Sequence, residues 1–346
     1  MSGWRARFER WLLSEWADGS AWQFLLRPLG WLFQLLVWLR QALRASGIWR
    51  PATVPVPVVV VGNLTVGGSG KTPCVIALAE ALAARGWRPG IVSRGYGGRG
   101  RVEAVTLHSV ASEVGDEPLL IARRTGCPVW VGRDRVAAAR ALCAESPEVN
   151  VLISDDGLQH WRLPRAVEVV VVDARRGFGN RRLLPAGPLR EPLARLLSVT
   201  QLWVCGDGLV PERLPRGVET DTWRISLTLV SAARSLAEPA RSRPLIEFAG
   251  LPLTAVAGIA APERFFAMLE QSGVTPQPRP FPDHHPFVAD DLADLRDATV
   301  LMTEKDGVKC QAFAAEDWWA VPLAAQLPTA AVDALEHTLR QPPKMT

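Results

Sequence analysis

Cysteine is sparse in this chain of 346 residues. The five present (Cys74, Cys127, Cys143, Cys205 and Cys310) are odd in number, scattered, and form no C-x-x-C pair. That excludes a disulfide framework and a structural zinc site, and it suits a reducing compartment. Long apolar runs are missing too. The longest, residues 30–39, is interrupted by Gln34 and preceded by Arg27 and Pro28; as a helix it covers about 15 Å of a hydrocarbon core roughly 30 Å thick. It cannot span a membrane alone. With arginines on both sides and no A-x-A site after it, it does not read as a removed secretory signal either. Short-period repeats and low-complexity tracts are also absent. Lysine occurs only four times against 35 arginines, and tyrosine once.

What is present is a folding chain. Hydrophobic residues make up 48% and charged residues 21%, which excludes disorder. The length exceeds a single domain of roughly 100–200 residues, so two domains, or one large sheet domain with an appendage, are expected. The net charge of +4 is concentrated. Residues 1–50 hold seven arginines against Glu9, Glu15 and Asp18, which leaves 32 basic and 32 acidic residues in a neutral remainder. The same stretch carries seven of the fourteen tryptophans (Trp4, Trp11, Trp16, Trp22, Trp31, Trp38 and Trp49). A basic, Trp-rich leader on a neutral body argues against a nucleic-acid groove, where charge lies along the folded domain. It points to an anionic membrane surface, with rings at the acyl boundary and guanidiniums toward phosphates. The alternative is an amphipathic helix packed on its own domain.

Beyond the leader, residues 56–61 form a short β-branched run that reads as a buried parallel strand. It runs into Thr65-Val66-Gly67-Gly68-Ser69-Gly70-Lys71-Thr72, followed by helical apolar spacing over 73–84. Strand, glycine loop and helix ending in Gly-Lys-Thr make a phosphate-binding P-loop. The glycines let successive N–H groups converge on phosphate oxygens, Lys71 reaches the β/γ-phosphates, and the Thr72 hydroxyl can ligate Mg²⁺. The strict pattern asks for glycine at position 65, where this chain has threonine. A retained lysine in an arginine-rich chain marks a place for a compact ammonium. An acidic metal partner is also required. The apolar run 149–154 ends in Asp155-Asp156-Gly157-Leu158-Gln159-His160, which puts two carboxylates at a strand end, where open α/β sheets bind ligands. One of Asp155 and Asp156 can hold Mg²⁺, directly or through water.

Further motifs are Ser93-Arg94-Gly95-Tyr96-Gly97, Gly115-Asp116-Glu117-Pro118 opening a helix, an apolar run 167–172 ending in Asp173, the stretch 177–191, Phe281-Pro282-Asp283-His284-His285, and Thr303-Glu304-Lys305-Asp306. In this order, over roughly residues 54–309, the set closely resembles the tetraacyldisaccharide 4′-kinase family. The resemblance implies ATP-dependent transfer of the γ-phosphoryl group to the 4′-hydroxyl of a lipid A disaccharide 1-phosphate, by an enzyme peripheral to the cytoplasmic face of the inner membrane. It also implies that Asp116 acts as base together with His284. Chemically, a sugar hydroxyl needs a carboxylate placed to accept its proton, and an imidazole bonded to that carboxylate can orient it. Residues alone make His284 a weak candidate, since it sits in a Pro-rich loop, and they assign no role to His285 or Lys305. No obligate protein partner is evident.

A rival reading is a membrane-cycling P-loop ATPase switch of the partitioning-protein type, but those loops carry a second lysine where this chain has Val66. A third is a nucleotide-binding module without turnover. The expected organisation is a helical leader (1–50), a P-loop domain with a parallel sheet and helices on both faces (51–216), an extended ribbon (217–250, from 217–229 and 244–248), and a smaller α/β domain (251–346).

Overall fold

The computed structural model describes residues 11, 15–16, 22–46, 51–106, 108–208, 218 and 220–341. Trp4, Trp49, Arg5, Arg7, Arg10 and Arg50 of the leader, and Gly217 at the start of the expected ribbon, lie outside the described residues.

The strands are β1 (Val58–Gly62), β2 (Pro89–Ser93), β3 (Glu103–Val105), β4 (Val129–Val131), β5 (Val151–Asp155), β6 (Val167–Asp173), β7 (Gln201–Cys205), β8 (Asp221–Leu229), β9 (Ala232–Ser235), β10 (Ser242–Pro244), β11 (Leu253–Ala257), β12 (Gln277–Pro280), β13 (Thr299–Thr303), β14 (Trp318–Val321) and β15 (Leu323–Gln326). The helices used below are α1 (Trp22–Ala45), α2 (Lys71–Ala84), α3 (Asp116–Thr125), α4 (Arg135–Glu145), α5 (Pro262–Gln271), α6 (Glu304–Cys310) and α7 (Thr329–Arg340). They build a mixed α/β fold with two sheets.

The first sheet has nine strands in the order β15-β8-β7-β6-β1-β5-β2-β4-β3. Its interior from β8 to β4 is parallel, and only β15 and β3 run antiparallel at the edges. The β-branched run in β1 is buried on both faces. Val59 and Val61 pack with the apolar side of α2, while Val58 and Val60 pack with the opposite cluster around Val170 and Leu202. Strand alternation sends successive valines to opposite layers, so a strand covered on both faces must be apolar throughout. Because β1 lies centrally, its C-terminal end delivers the glycine loop to the middle of the sheet edge.

The second sheet has the order β10-β9-β14-β13-β11-β12. Its edge strand β12 occupies part of what the sequence presents as a Pro-rich loop. Pro278 and Pro280 alternate, so both positions lacking an N–H face away from β11, while the N–H of Phe281, in step with Gln277 and Arg279, bonds to Ala257 O (2.8 Å). Edge placement makes proline harmless there.

The chain departs from the expected organisation in two other places. Asp221–Leu229 is not half of a ribbon with 244–248: it extends the first sheet by pairing parallel to β7, and Leu245–Phe248 is a 3₁₀ turn that buries Leu245 and Phe248. Apolar residues three apart fall on one side of such a turn. The C-terminal stretch returns to the first sheet: β15 pairs with β8, and α7 buries Leu335 and Leu339 in the same core as α2.

Helix α1 docks along one side only. Gly30 lies against Ala186, Phe33 packs on the core, and the Arg40 guanidinium donates to Gln159 O. The opposite face leaves Leu25, Trp31, Leu32, Leu35, Leu36 and Trp38 more than half exposed, a contiguous apolar patch that calls for a partner. Among the described residues, no helix is long and apolar enough to cross a membrane.

Candidate active site

The loop from Val66 to Thr72 lines a cleft of about 1240 Å³ that also contains Asp116, Asp155, Asp156, His284 and Lys305. Gly67 (φ 95°) and Gly70 (φ 81°) take left-handed conformations that other residues resist, which aims the loop amides inward at the start of α2. Asn63 fastens the loop from beneath: its Nδ2 donates to Ser69 Oγ (3.2 Å) and Gly67 O (3.4 Å). Thr65, expected among the nucleotide contacts, forms a backbone bridge with Leu189.

The adjacent aspartates have opposite surroundings. Asp155 ends β5 fully buried; its Oδ2 accepts from Ser93 Oγ (3.0 Å), while Oδ1 has no hydrogen-bond partner. Burial first, then repulsion from Glu117 and Asp156, pushes its carboxyl up to about 7. Asp156 adopts φ 48° and turns toward Lys71 (3.5 Å) and Arg190 (3.2 Å). Burial opposes its charge, but those two cations hold its carboxyl down to about 2. A carboxyl depressed in the folded state stabilises the fold above its ordinary unfolded value near 4, and that stabilisation is lost as pH falls toward 2. The melting temperature of Asp156→Asn is therefore expected to lie below wild type at pH 5, with the gap closing between pH 4 and 2. A gap that stays constant over that range would contradict this electrostatic role.

Asp116 is the first residue of α3 and is 6% exposed. The preceding Gly115 (φ 92°) lies where a Cβ would come within 2.7 Å of Tyr96 O, so glycine lets the Tyr96 loop close onto the start of the helix. Asp116 Oδ1 accepts the N–H of Glu117 (2.9 Å), and Oδ2 meets His284 Nδ1 at 3.0 Å. His284 comes from the loop after β12, in a left-handed turn (φ 55°) held by Asp283 Oδ1 accepting its own N–H (3.0 Å), and its ring lies 5.1 Å from that of Tyr96. Burial raises the Asp116 carboxyl, but the His284 bond and the Lys305 charge outweigh it and leave the group below the ordinary range. Burial lowers the His284 imidazole, but its bond to Asp116 outweighs this and leaves it raised.

The structure thus unites Lys71, Asp155, Asp156, Asp116 and His284 in one cleft, although they come from elements up to 213 positions apart in sequence. It sets His285 apart, bonded to Asp291 (2.9 Å) between Phe281 and Phe287. It also gives partners to residues that the motifs display without a role. Arg190 holds Asp156, Glu117 stands beside Lys305, and Asp173 at the end of β6 pairs with Arg264 of α5 across the two sheets. Glu117, Asp173 and Arg190 each lie within a motif of the sequence, but their partners come from distant elements, so spacing alone gives no sign of the pairings.

Residues 22–340 match the family described as tetraacyldisaccharide-1-P 4′-kinase. Among relatives named tetraacyldisaccharide 4′-kinase, that of Thiobacillus denitrificans is 51% identical over 310 residues (89% of this chain, 92% of the relative). That of Dechloromonas aromatica is 48% identical over 342 residues (96% and 98%), and that of Methylobacillus flagellatus 45% over 326 residues (92% and 93%). Among solved structures, LpxK from Aquifex aeolicus, crystallised in complex with ATP, superposes with a TM-score of 0.75 at 27% identity, covering 92% of this chain and 99% of that one.

Proposed function

This chain belongs to the tetraacyldisaccharide-1-P 4′-kinase family, and from that premise we infer that it transfers the γ-phosphoryl group of ATP to the 4′-hydroxyl of a tetraacylated lipid A disaccharide 1-phosphate. The observation that carries the reading is the meeting of the phosphate loop and the Asp116–His284 pair in one cleft. Backbone amides of 66–72 cradle the phosphates, and Lys71 balances charge on the β/γ oxygens as the bond to the leaving group breaks. Asp116 accepts the hydroxyl proton, and His284 holds its carboxylate in place. The partitioning-type switch is not favoured.

Mg²⁺ fits the residues present. Asp155 Oδ1 is buried and unpartnered, and its carboxyl is pushed up beside Glu117 and Asp156, an excess of negative charge that a divalent cation relieves. Asp155, Asp156 and Thr72 would hold the ion, which would supply positive charge against the phosphates. The deciding assay supplies γ-labelled ATP with and without the lipid disaccharide. Label in the lipid, with little ATP consumption in its absence, is expected. ATP turnover indifferent to acceptor would return the switch, and none at all a passive nucleotide-binding module.

The exposed face of α1 supports peripheral docking on the cytoplasmic face of the inner membrane, where the acyl chains of the substrate reside. Apolar burial adds an attraction that salt does not screen, and each arginine near an anionic surface adds about 1 kcal/mol. Binding to anionic vesicles should weaken but persist at high salt. Replacing exposed Trp31 and Trp38 with glutamate should lower it at least about tenfold and reduce activity on vesicle-borne substrate more than on detergent-dispersed substrate. Unchanged vesicle binding by a folded variant would refute the docking role.

A further inference from the structure

Lys305 occupies a position that the chemistry above leaves unused. Its side chain is 17% exposed, and its Nζ lies 3.1 Å from Glu117 Oε1, 3.2 Å from His284 Nε2, 3.5 Å from Asp283 Oδ1 and 3.9 Å from Asp116 Oδ2. The backbone beneath it is firmly held. Asp306, fully buried, accepts Thr303 Oγ1 (2.6 Å) and the N–H of Gly258 (2.8 Å), and its own N–H bonds back to Thr303 Oγ1 (3.2 Å). The ammonium is therefore delivered from the second sheet to carboxylates of the first by a rigid helix start.

We propose that Lys305 is a positioning residue: it occupies Nε2 of His284, opposes protonation there, fixes the neutral imidazole with its proton on Nδ1, and leaves Asp116 as the only member of the pair able to accept the hydroxyl proton. An ammonium carries three donors and no acceptor, so a Lys305–Nε2 bond exists only when Nε2 presents its lone pair. A neutral imidazole with Nε2 bare carries its proton on Nδ1, which then donates to Asp116 Oδ2. His284 Nδ1, already protonated, cannot draw a proton from Asp116, and the alternative arrangement would aim an Nε2–H at the ammonium. Asp116 keeps a free lone pair for the acceptor, since its remaining bond is a single N–H from Glu117. Among the described residues, the groups facing His284 are Asp116, Lys305, Asp283 (4.0 Å from Nε2) and the Tyr96 ring. Were Nε2 released and protonated, the imidazolium would hold Asp116 in a charge-assisted bond and weaken it as a base.

This inference rests on Asp116 acting as base, and it is tested apart from turnover. Nitrogen-15 histidine spectra of the full-length protein, with only five histidines to assign, are recorded at about pH 8.5, well above the ordinary imidazole value. The wild type is expected to show His284 with Nδ1 protonated and Nε2 bare. In Lys305→Met the His284 titration midpoint should move to higher pH. Its kcat at neutral pH should fall about tenfold, with KM for ATP little changed, and recover as pH rises past the new midpoint. Lys305→Arg, which keeps charge and donors, should hold the midpoint and most of kcat. A wild-type His284 protonated on Nε2 would overturn the proposal, as would a Lys305→Met midpoint identical to wild type or a loss of rate that is the same at every pH. If Lys305→Met fails to fold, the wild-type spectrum and Lys305→Arg still decide. Either failure leaves the phosphoryl-transfer reading standing, because label transfer to the lipid decides that separately.

Discussion

Lys71→Ala is expected to lower kcat by about 10²–10³ while leaving the fold intact. The large loss follows from where charge develops: the ammonium at the start of α2 faces the cleft, and in a partly dry site its interaction with phosphate oxygens exceeds its value in water. The small structural cost follows from the contacts. Among the described residues, Lys71 is paired only with Asp156, at 3.5 Å, and Asp156 keeps Arg190 when the lysine is gone. The loop is shaped by the left-handed glycines 67 and 70 and by Asn63, none of which depends on Lys71. Single-turnover phosphoryl transfer measured beside thermal unfolding separates the two. Near-normal activity in a folded variant would remove the P-loop from the mechanism.

The asymmetry between what the sequence displays and what it hides has a physical basis. The glycine loop is legible because its chemistry is local. Backbone convergence needs glycines, a compact cation and a hydroxyl at consecutive positions, flanked by a buried strand and a helix, and β1 and α2 lie where that pattern puts them. Asp155 and Asp156 are legible as strand-end carboxylates, but not their division of labour, which is set by Ser93, Glu117 and Arg190 arriving from another strand, a helix and a loop. Lys305 is the extreme case. Its meaning lies in contacts with His284 and with Glu117, 21 and 188 positions away, and no periodicity or spacing announces such a pairing. Strand β12 is obscured for the opposite reason: its prolines speak against a strand unless the neighbour on one side is known. Likewise α7 shows a clear helical period, but which core its apolar face joins is decided by β15 pairing with β8.

Asp116→Asn is expected to lose about 10²–10⁴ in kcat, the range for removing a general base, with ATP affinity little changed. The amide keeps the shape and can still accept the Nδ1–H of His284 through its oxygen, giving up the bond from the Glu117 N–H, so the His284 turn remains in place, but it cannot take a proton from the sugar hydroxyl. His284→Ala should cost less, roughly tenfold, because Asp116 stays ionised beside Lys305 and keeps its bond to the Glu117 N–H. If the imidazole serves only to orient the carboxylate, its removal matters only while a carboxylate is there to orient. The double variant should then be hardly slower than Asp116→Asn alone, a failure of additivity that marks groups acting as a unit. The opposite outcome also has a definite meaning. Asp116 neighbours Glu117, whose charge is felt by Asp155. A variant that chiefly raised KM for ATP, with the His284 effect multiplying independently, would move Asp116 from proton acceptance to the support of the nucleotide and its metal.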